Sequence, residues 1–142
     1  MSENYCDISD TLFRADAIEI LCDNASVANL VPSDKDFELL LQNISAMNKD
    51  GYEMPAFGVS IDKLTKNEIQ KGVWLRFYYN SGCTHNEMPF DELMIKIQPK
   101  DCGYNIIRGN SGVYDGRCFY YNLNKGDMSL LYNHIKENYI SQ

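Results

Sequence analysis

At 142 residues, 44% of them hydrophobic, the chain is sized for one domain over 1–142, whose core needs no metal or disulfide because a chain of this length buries roughly 70% of its unfolded surface. A net charge of −7 argues against a nucleic-acid partner, whose binders carry a basic excess, and no run approaches the roughly 20 apolar residues of a spanning helix. The first residues lack the basic-then-apolar order of a signal peptide, and five cysteines at 6, 22, 83, 102 and 118 are odd in number without a CxxC pair; both features place reduced thiols, mostly as small buried hydrophobes, in a cytoplasmic protein.

In chain order, Leu12, Phe13, Ala17, Ile20 and Leu21 fall on one side of a helix over residues 9–22, with Asp7 or Ser9 available to cap it. Residues 27–32 then connect to a second helix. Ser33 and Asp36 open it as a variant capping box, Phe37, Leu40, Leu41, Ile44 and Met47 sit at helical spacing, and Gly51 ends it as a C′ residue. The next stretch, 52–61, contains Pro55 and alternates Phe57, Val59 and Ile61, as a short edge strand does. Residues 62–71 fit one or two helical turns, since Thr65 precedes Glu68 at capping spacing; a Lys66-Asn67 turn between strands competes.

The strand signals follow. Val73, Leu75, Phe77 and Tyr79 alternate with Trp74, Arg76 and Tyr78, the period of a strand with one buried face. After a polar loop over 81–86, Leu93, Ile95 and Ile97 alternate with Met94, Lys96 and Gln98 until Pro99. A third run covers 104–108 and turns through Gly109-Asn110-Ser111-Gly112. The return strand, from Val113 to Leu123, carries a bulge at Asp115-Gly116, unless that pair is itself the hairpin turn. Asp127 caps a closing helix with Met128, Leu131, Tyr132, Ile135 and Tyr139 on one side. The pattern predicts an α+β fold: a four- to five-stranded, mainly antiparallel meander sheet, with two N-terminal helices and one C-terminal helix packed on one face.

Charge is uneven. Residues 1–62 hold twelve Asp and Glu against three Lys and Arg, whereas residues 63–142 hold eight against ten. The acid is scattered singly, as on a solvated helical face, but an acidic half also suits a basic partner.

Motifs for catalysis are sparse. Cys83 and His85, two apart and able to point the same way on an extended chain, are the weak candidates for a nucleophile and its base, with no nucleophile elbow or cysteine-protease signature beside them. A metal site would need Cys83, His85 and a remote ligand such as Cys102 or His134, so none is expected. The glycine-rich turn at 109–112 leads into a strand rather than a helix N-terminus, which removes it as a phosphate cradle, and no cofactor is expected.

What remains is the second sheet face, where Trp74, Arg76 and Tyr78 lie together, with Arg108 and Arg117 flanking the glycine-rich turn. Such arginines usually pair with Asp or Glu across strands or stack on aromatics. They are also the side chains that anchor interfaces. Three functions follow. The first is a protein that binds another macromolecule, a protein above all, in the manner of a regulator, inhibitor or immunity protein, with no membrane and no nucleic acid involved. The second is a binder of a small anionic ligand through Trp74, Arg76, Tyr78, Arg108 and Arg117. The third is an enzyme using Cys83 and His85. A self-paired edge strand at 57–61 or 117–123 would give a homodimer.

Overall fold

A computed structural model describes residues 8–49, 51–54, 70–85, 88–111, 118–124 and 126–140. The expected edge strand at 57–61, the turns proposed over 62–69, the bulge at Asp115-Gly116 and Arg117 lie outside them.

The first helix, α1, spans only Ile8–Phe13. It stops because Asp16 docks on a neighbouring strand: its N–H donates to Tyr78 O (2.7 Å), and its carboxylate accepts from Asn80 N–H (2.7 Å). The chain then becomes extended. Strand β1 (Ala17–Cys22) and strand β2 (Ala25–Leu30) form a hairpin where the sequence predicts the end of a helix and a connector. Its two-residue turn is Asp23-Asn24, with φ of 51° and 69°. Positive φ at both central residues marks the type I′ turn, and short Asx side chains tolerate it. The backbone N–H of Gly72 donates to Asp23 Oδ1 (2.8 Å), and Asp23 N–H donates to Gly72 O, which ties the turn to the next strand of the sheet.

Helix α2 (Lys35–Asn48) forms as the spacing predicts and buries Phe37, Leu40, Leu41 and Ile44. Its ends differ from expectation. Asp34, not Ser33, is the N-cap residue, and its carboxylate reaches back to accept from Val31 N–H (2.9 Å). Gly51 is not in the left-handed region. It is needed for close approach, because a Cβ there would stand 2.6 Å from Tyr121 Cε1 and collide with Asn122 O.

Strand β3 (Tyr52–Met54) is a sheet edge, and β4 (Val73–His85), β5 (Met88–Ile97), β6 (Gly103–Gly109) and β7 (Cys118–Asn122) form the meander. Among the described residues the sheet is antiparallel, with seven strands in the order β2-β1-β4-β5-β6-β7-β3, larger than the four or five strands expected because the N-terminal hairpin joins it. The supposed polar loop at 81–85 is part of β4: a bulge of four residues between Tyr78 and Cys83 interrupts the alternation, with Gly82 at φ 75°, and pairing resumes at Cys83↔Phe90.

Helix α3 (Ser129–Ile135) closes the chain and continues as a π-helical turn, Lys136–Ile140. Asp127 serves its start as expected in function, though one residue outside the cap: Oδ1 accepts from Ser129 N–H (3.0 Å) and Ser129 Oγ–H (2.6 Å). The side-chain bond from Ser129 is the main cause of the lowered pKa of Asp127.

One apolar cluster joins the helices to the inner sheet face, including Leu12, Phe37, Leu40, Ile44, Ile20, Leu75, Phe77, Ile95, Ile106, Leu131 and Ile135. Each fully buried side chain of this size contributes about 1.5–3 kcal/mol. Three buried tyrosine hydroxyls are satisfied at its margin. Tyr79 hydroxyl donates to Thr11 O (2.9 Å), Tyr104 hydroxyl to Asn48 Oδ1 (2.8 Å) and Tyr121 hydroxyl to Asn48 O (3.0 Å). Asn48, through its side-chain amide and its backbone carbonyl, therefore fixes the end of α2 against two stacked tyrosines, Tyr104 and Tyr121, whose ring centroids are 5.8 Å apart.

Candidate functional site

Trp74, Arg76 and Tyr78 do share the outer sheet face, opposite the helices. Register places Glu19 and Leu21 of β1 on one side of them and Met94 and Lys96 of β5 on the other. Leu21, Trp74, Met94 and Ile107 form a second buried apolar cluster. Trp74 is 3% exposed, so it is a core residue of this face rather than an open platform. Its indole N–H donates to Lys71 O (2.9 Å), and Lys96 Nζ lies over its ring, 5.9 Å from the centroid.

Arg76 is enclosed by acceptors. Its Nη1 donates to Glu19 Oε1 (3.1 Å) and to Tyr78 hydroxyl (2.9 Å), Tyr78 donates to the same Glu19 oxygen (2.7 Å), and Glu92 Oε1 lies 4.0 Å from Arg76 Nε. Burial pushes the Tyr78 pKa up, the adjacent guanidinium pulls it down, and the net direction is upward. Two carboxylates compensate one guanidinium here, and Lys96 stands on the neighbouring position of β5. The guanidinium is thus held between carboxylates of both neighbouring strands, the behaviour of cross-strand pairs that fix register.

Arg108 does not join it. Leu93 pairs with Arg108 and Met94 with Ile107, so Arg108 lies on the helix side of the sheet, where Nη1 donates to Pro89 O (2.7 Å). From sequence alone the facing of Arg108 and Arg117 is undetermined because of the bulge expected at Asp115-Gly116. Arg76 and Arg108 thus sit on opposite faces and do not converge on a common ligand.

Cys83 is half-buried against the inner core, beside the Tyr79–Phe90 ring contact (5.3 Å, 77°), and its Sγ lies 4.0 Å from Thr84 O. His85 stands two residues on in β4, opposite Met88; its side chain lies outside the described residues. The expectation of buried thiols is met only in part. Cys22 and Cys83 are half-buried, Cys102 is exposed, and all three are free. Among the described residues, no three His, Cys, Asp or Glu side chains cluster as metal ligands, and no helix is long and apolar enough to cross a membrane.

Two features were not singled out in the sequence. His134 of α3 and Tyr139 of the π turn both meet Asp36 of α2: His134 Nε2 lies 3.3 Å from Asp36 Oδ1, and Tyr139 hydroxyl donates to Asp36 Oδ2. Their signal was a 4-to-5-residue spacing of polar groups on the closing helix, which periodicity alone assigns to its boundary. A groove of about 290 Å³ runs between the end of α2 and the start of α3, lined by Met47, Lys49, Asn124, Asp127 and Leu130 among others.

The N-terminal half presents a different surface. Phe13, Val27, Val31 and Leu39 are large apolar side chains 39–47% exposed. They are interspersed along the chain with the exposed carboxylates Asp10, Asp23, Asp34 and Glu38. No family model matches the chain, and neither does any curated protein or solved structure.

Proposed function

We propose that the protein acts by binding another protein, as a regulatory, inhibitor or immunity-type molecule, and that its contact surface is the acidic N-terminal half. The observation that carries this reading is the interleaving of exposed Phe13, Val27, Val31 and Leu39 with exposed Asp10, Asp23, Asp34 and Glu38. Exposed apolar side chains in the company of carboxylates are the composition of an interface, and the charge favours a basic partner. The network around Arg76 supports the same choice, since a guanidinium already bonded to Glu19 has less to offer an anion than an open one.

Affinity capture from source-cell extract tests the reading. The wild-type protein is compared with a D23N/D34N/E38Q variant and with Leu39→Ser, all at two salt concentrations. A partner recovered in stoichiometric amount by wild type, weakened by salt and lost from both variants is expected. Identical recovery by all three baits refutes the acidic half as the contact surface.

A further inference from the structure

At the β7–β3 end of the sheet, the outer face carries an uncharged aromatic patch. Tyr120 and Asn122 of β7 share that face with Gly103 and Asn105 of β6, since Tyr121, Tyr104 and Ile106 between them are buried in the inner core. Register sets Asn105 opposite Tyr120 and Asn122 opposite Gly103, so the four positions form one square of the ladder. Tyr120 crosses that square diagonally. A Cβ on Gly103 would collide with the Tyr120 hydroxyl and stand 2.7 Å from its Cζ, so the ring lies along the sheet with its tip on the glycine backbone. Asn105 and Asn122 occupy the other two corners, one on each side of the ring. Tyr52 of β3, paired with Asn122, extends the patch to the sheet edge, where its hydroxyl accepts from Asn122 Nδ2 (3.4 Å). Tyr120 and Tyr52 are 36% and 37% exposed, and Asn105 is exposed.

Covering a sheet glycine with a neighbouring aromatic ring stabilises a strand pair by itself. It does not account for the amides. Asparagine is depleted in strands, and here two asparagines within strands flank one ring. Positions that break a local preference are where function is expected. The long bond to Tyr52 uses one N–H of Asn122 and leaves its other N–H and its Oδ1, while among the described residues no protein group bonds the Asn105 amide. A flat ring between two amides suits a ligand with an apolar face and a polar rim. Phosphate-bearing ligands are disfavoured, because the chain carries a net charge of −7 and Lys96, the cation of this face on β5, lies over Trp74.

We propose that this patch binds a neutral carbohydrate. The C–H face of one sugar ring stacks on Tyr120, and Asn105 and Asn122, each with donors and an acceptor, bond the hydroxyls on its rim, which are donors and acceptors alike. Tyr52 takes the next ring of an oligosaccharide. The site lies at the far end of the sheet from β1 and β2, and stands whether or not the acidic half binds a protein.

The test titrates the intact, isotope-labelled protein with cellotetraose, a flat chain of β-linked glucose, and follows backbone and asparagine side-chain amide signals by NMR. Shifts confined to residues 52, 103–105 and 120–122, saturating at millimolar sugar, are expected. Tyr120→Ala is expected to weaken binding about tenfold, and Tyr120→Phe, which keeps the ring, to change it by less than about twofold. Since Tyr120→Ala also uncovers Gly103, Asn105→Ala at an exposed position provides a second variant, expected to weaken binding about fivefold. Absence of shifts at these residues overturns the inference, and so does undiminished binding by Asn105→Ala. Adenosine, uncharged and planar, shifting the same residues at lower concentration than the sugar overturns it in favour of a stacked base.

Discussion

Replacing Arg76 by Met removes the cation while keeping the aliphatic stem that covers the sheet. The loss can be bracketed from exposure. Exposed ion pairs are worth about 0–1 kcal/mol, whereas breaking a buried pair by removing one partner costs about 3–5 kcal/mol. Arg76, Glu19 and Glu92 have side chains 24%, 18% and 16% exposed, nearer the buried case but in reach of water. Arg76→Met should therefore cost about 2–3 kcal/mol, from lost attraction and from two carboxylates left to face each other across β4. For a chain of this size that is a fall in Tm of roughly 8 °C, measurable by circular dichroism and by urea denaturation with unchanged slope. A double-mutant cycle with Glu19→Gln should return a coupling of about 1 kcal/mol or more. A loss below about 0.5 kcal/mol with no coupling would refute the reasoning. It would instead mark Arg76 as a residue kept for a ligand, since such sites are often replaced without cost to stability.

Gly51→Ala forces a methyl group against Tyr121 Cε1 and the Asn122 carbonyl, and should cost about 1–3 kcal/mol in urea titration, with the loss concentrated in protection of β3 and β7 amides. Asn24→Gly supplies the residue best suited to the positive φ of the hairpin turn and should raise stability by up to about 1 kcal/mol, while Asn24→Val should lower it. On the alkaline side, burial raises the pKa of Tyr78 and, further, of Tyr79, so the folded state holds these phenol protons more tightly than the unfolded chain does. Their contribution is whole below about pH 10 and is lost as pH climbs through the folded values, so unfolding and phenolate absorbance should rise together above that pH; Tyr79→Phe should separate them.

Legibility in the sequence followed the length and regularity of an element's alternation. Helix α2 and the strands at Val73 and Leu93 repeat an apolar set over several periods, so they are read directly even though Trp74 and Met94 are buried on the opposite sheet face. Strand β1 sits between β2 and β4, with Ile18 and Ile20 on one face and Leu21 on the other all buried, and a short run apolar on both sides has no distinguishing period. Leu12 in α1 then supplied a false continuation, and the hairpin turn gave no glycine signal. The Cys83 segment was misread because four bulged residues broke its alternation. At the site, the company of Trp74, Arg76 and Tyr78 was legible from parity. Of their partners, Glu19 is hidden because pairing between β1 and β4 joins residues 57 apart, and Glu92 because the bulge between Tyr78 and Cys83 conceals the register of β5 on β4.

That long-range pairing also sets an order of assembly. The hairpin of β1 and β2 closes on a two-residue turn, a fast local event, but β1 cannot complete its second side until β4, some fifty residues later, has been synthesised and has arrived. A growing chain therefore carries a two-stranded ribbon with both flanks unsatisfied. Folding covers the β1 flank with the 13-residue strand β4, and among the described residues no strand pairs with the β2 flank.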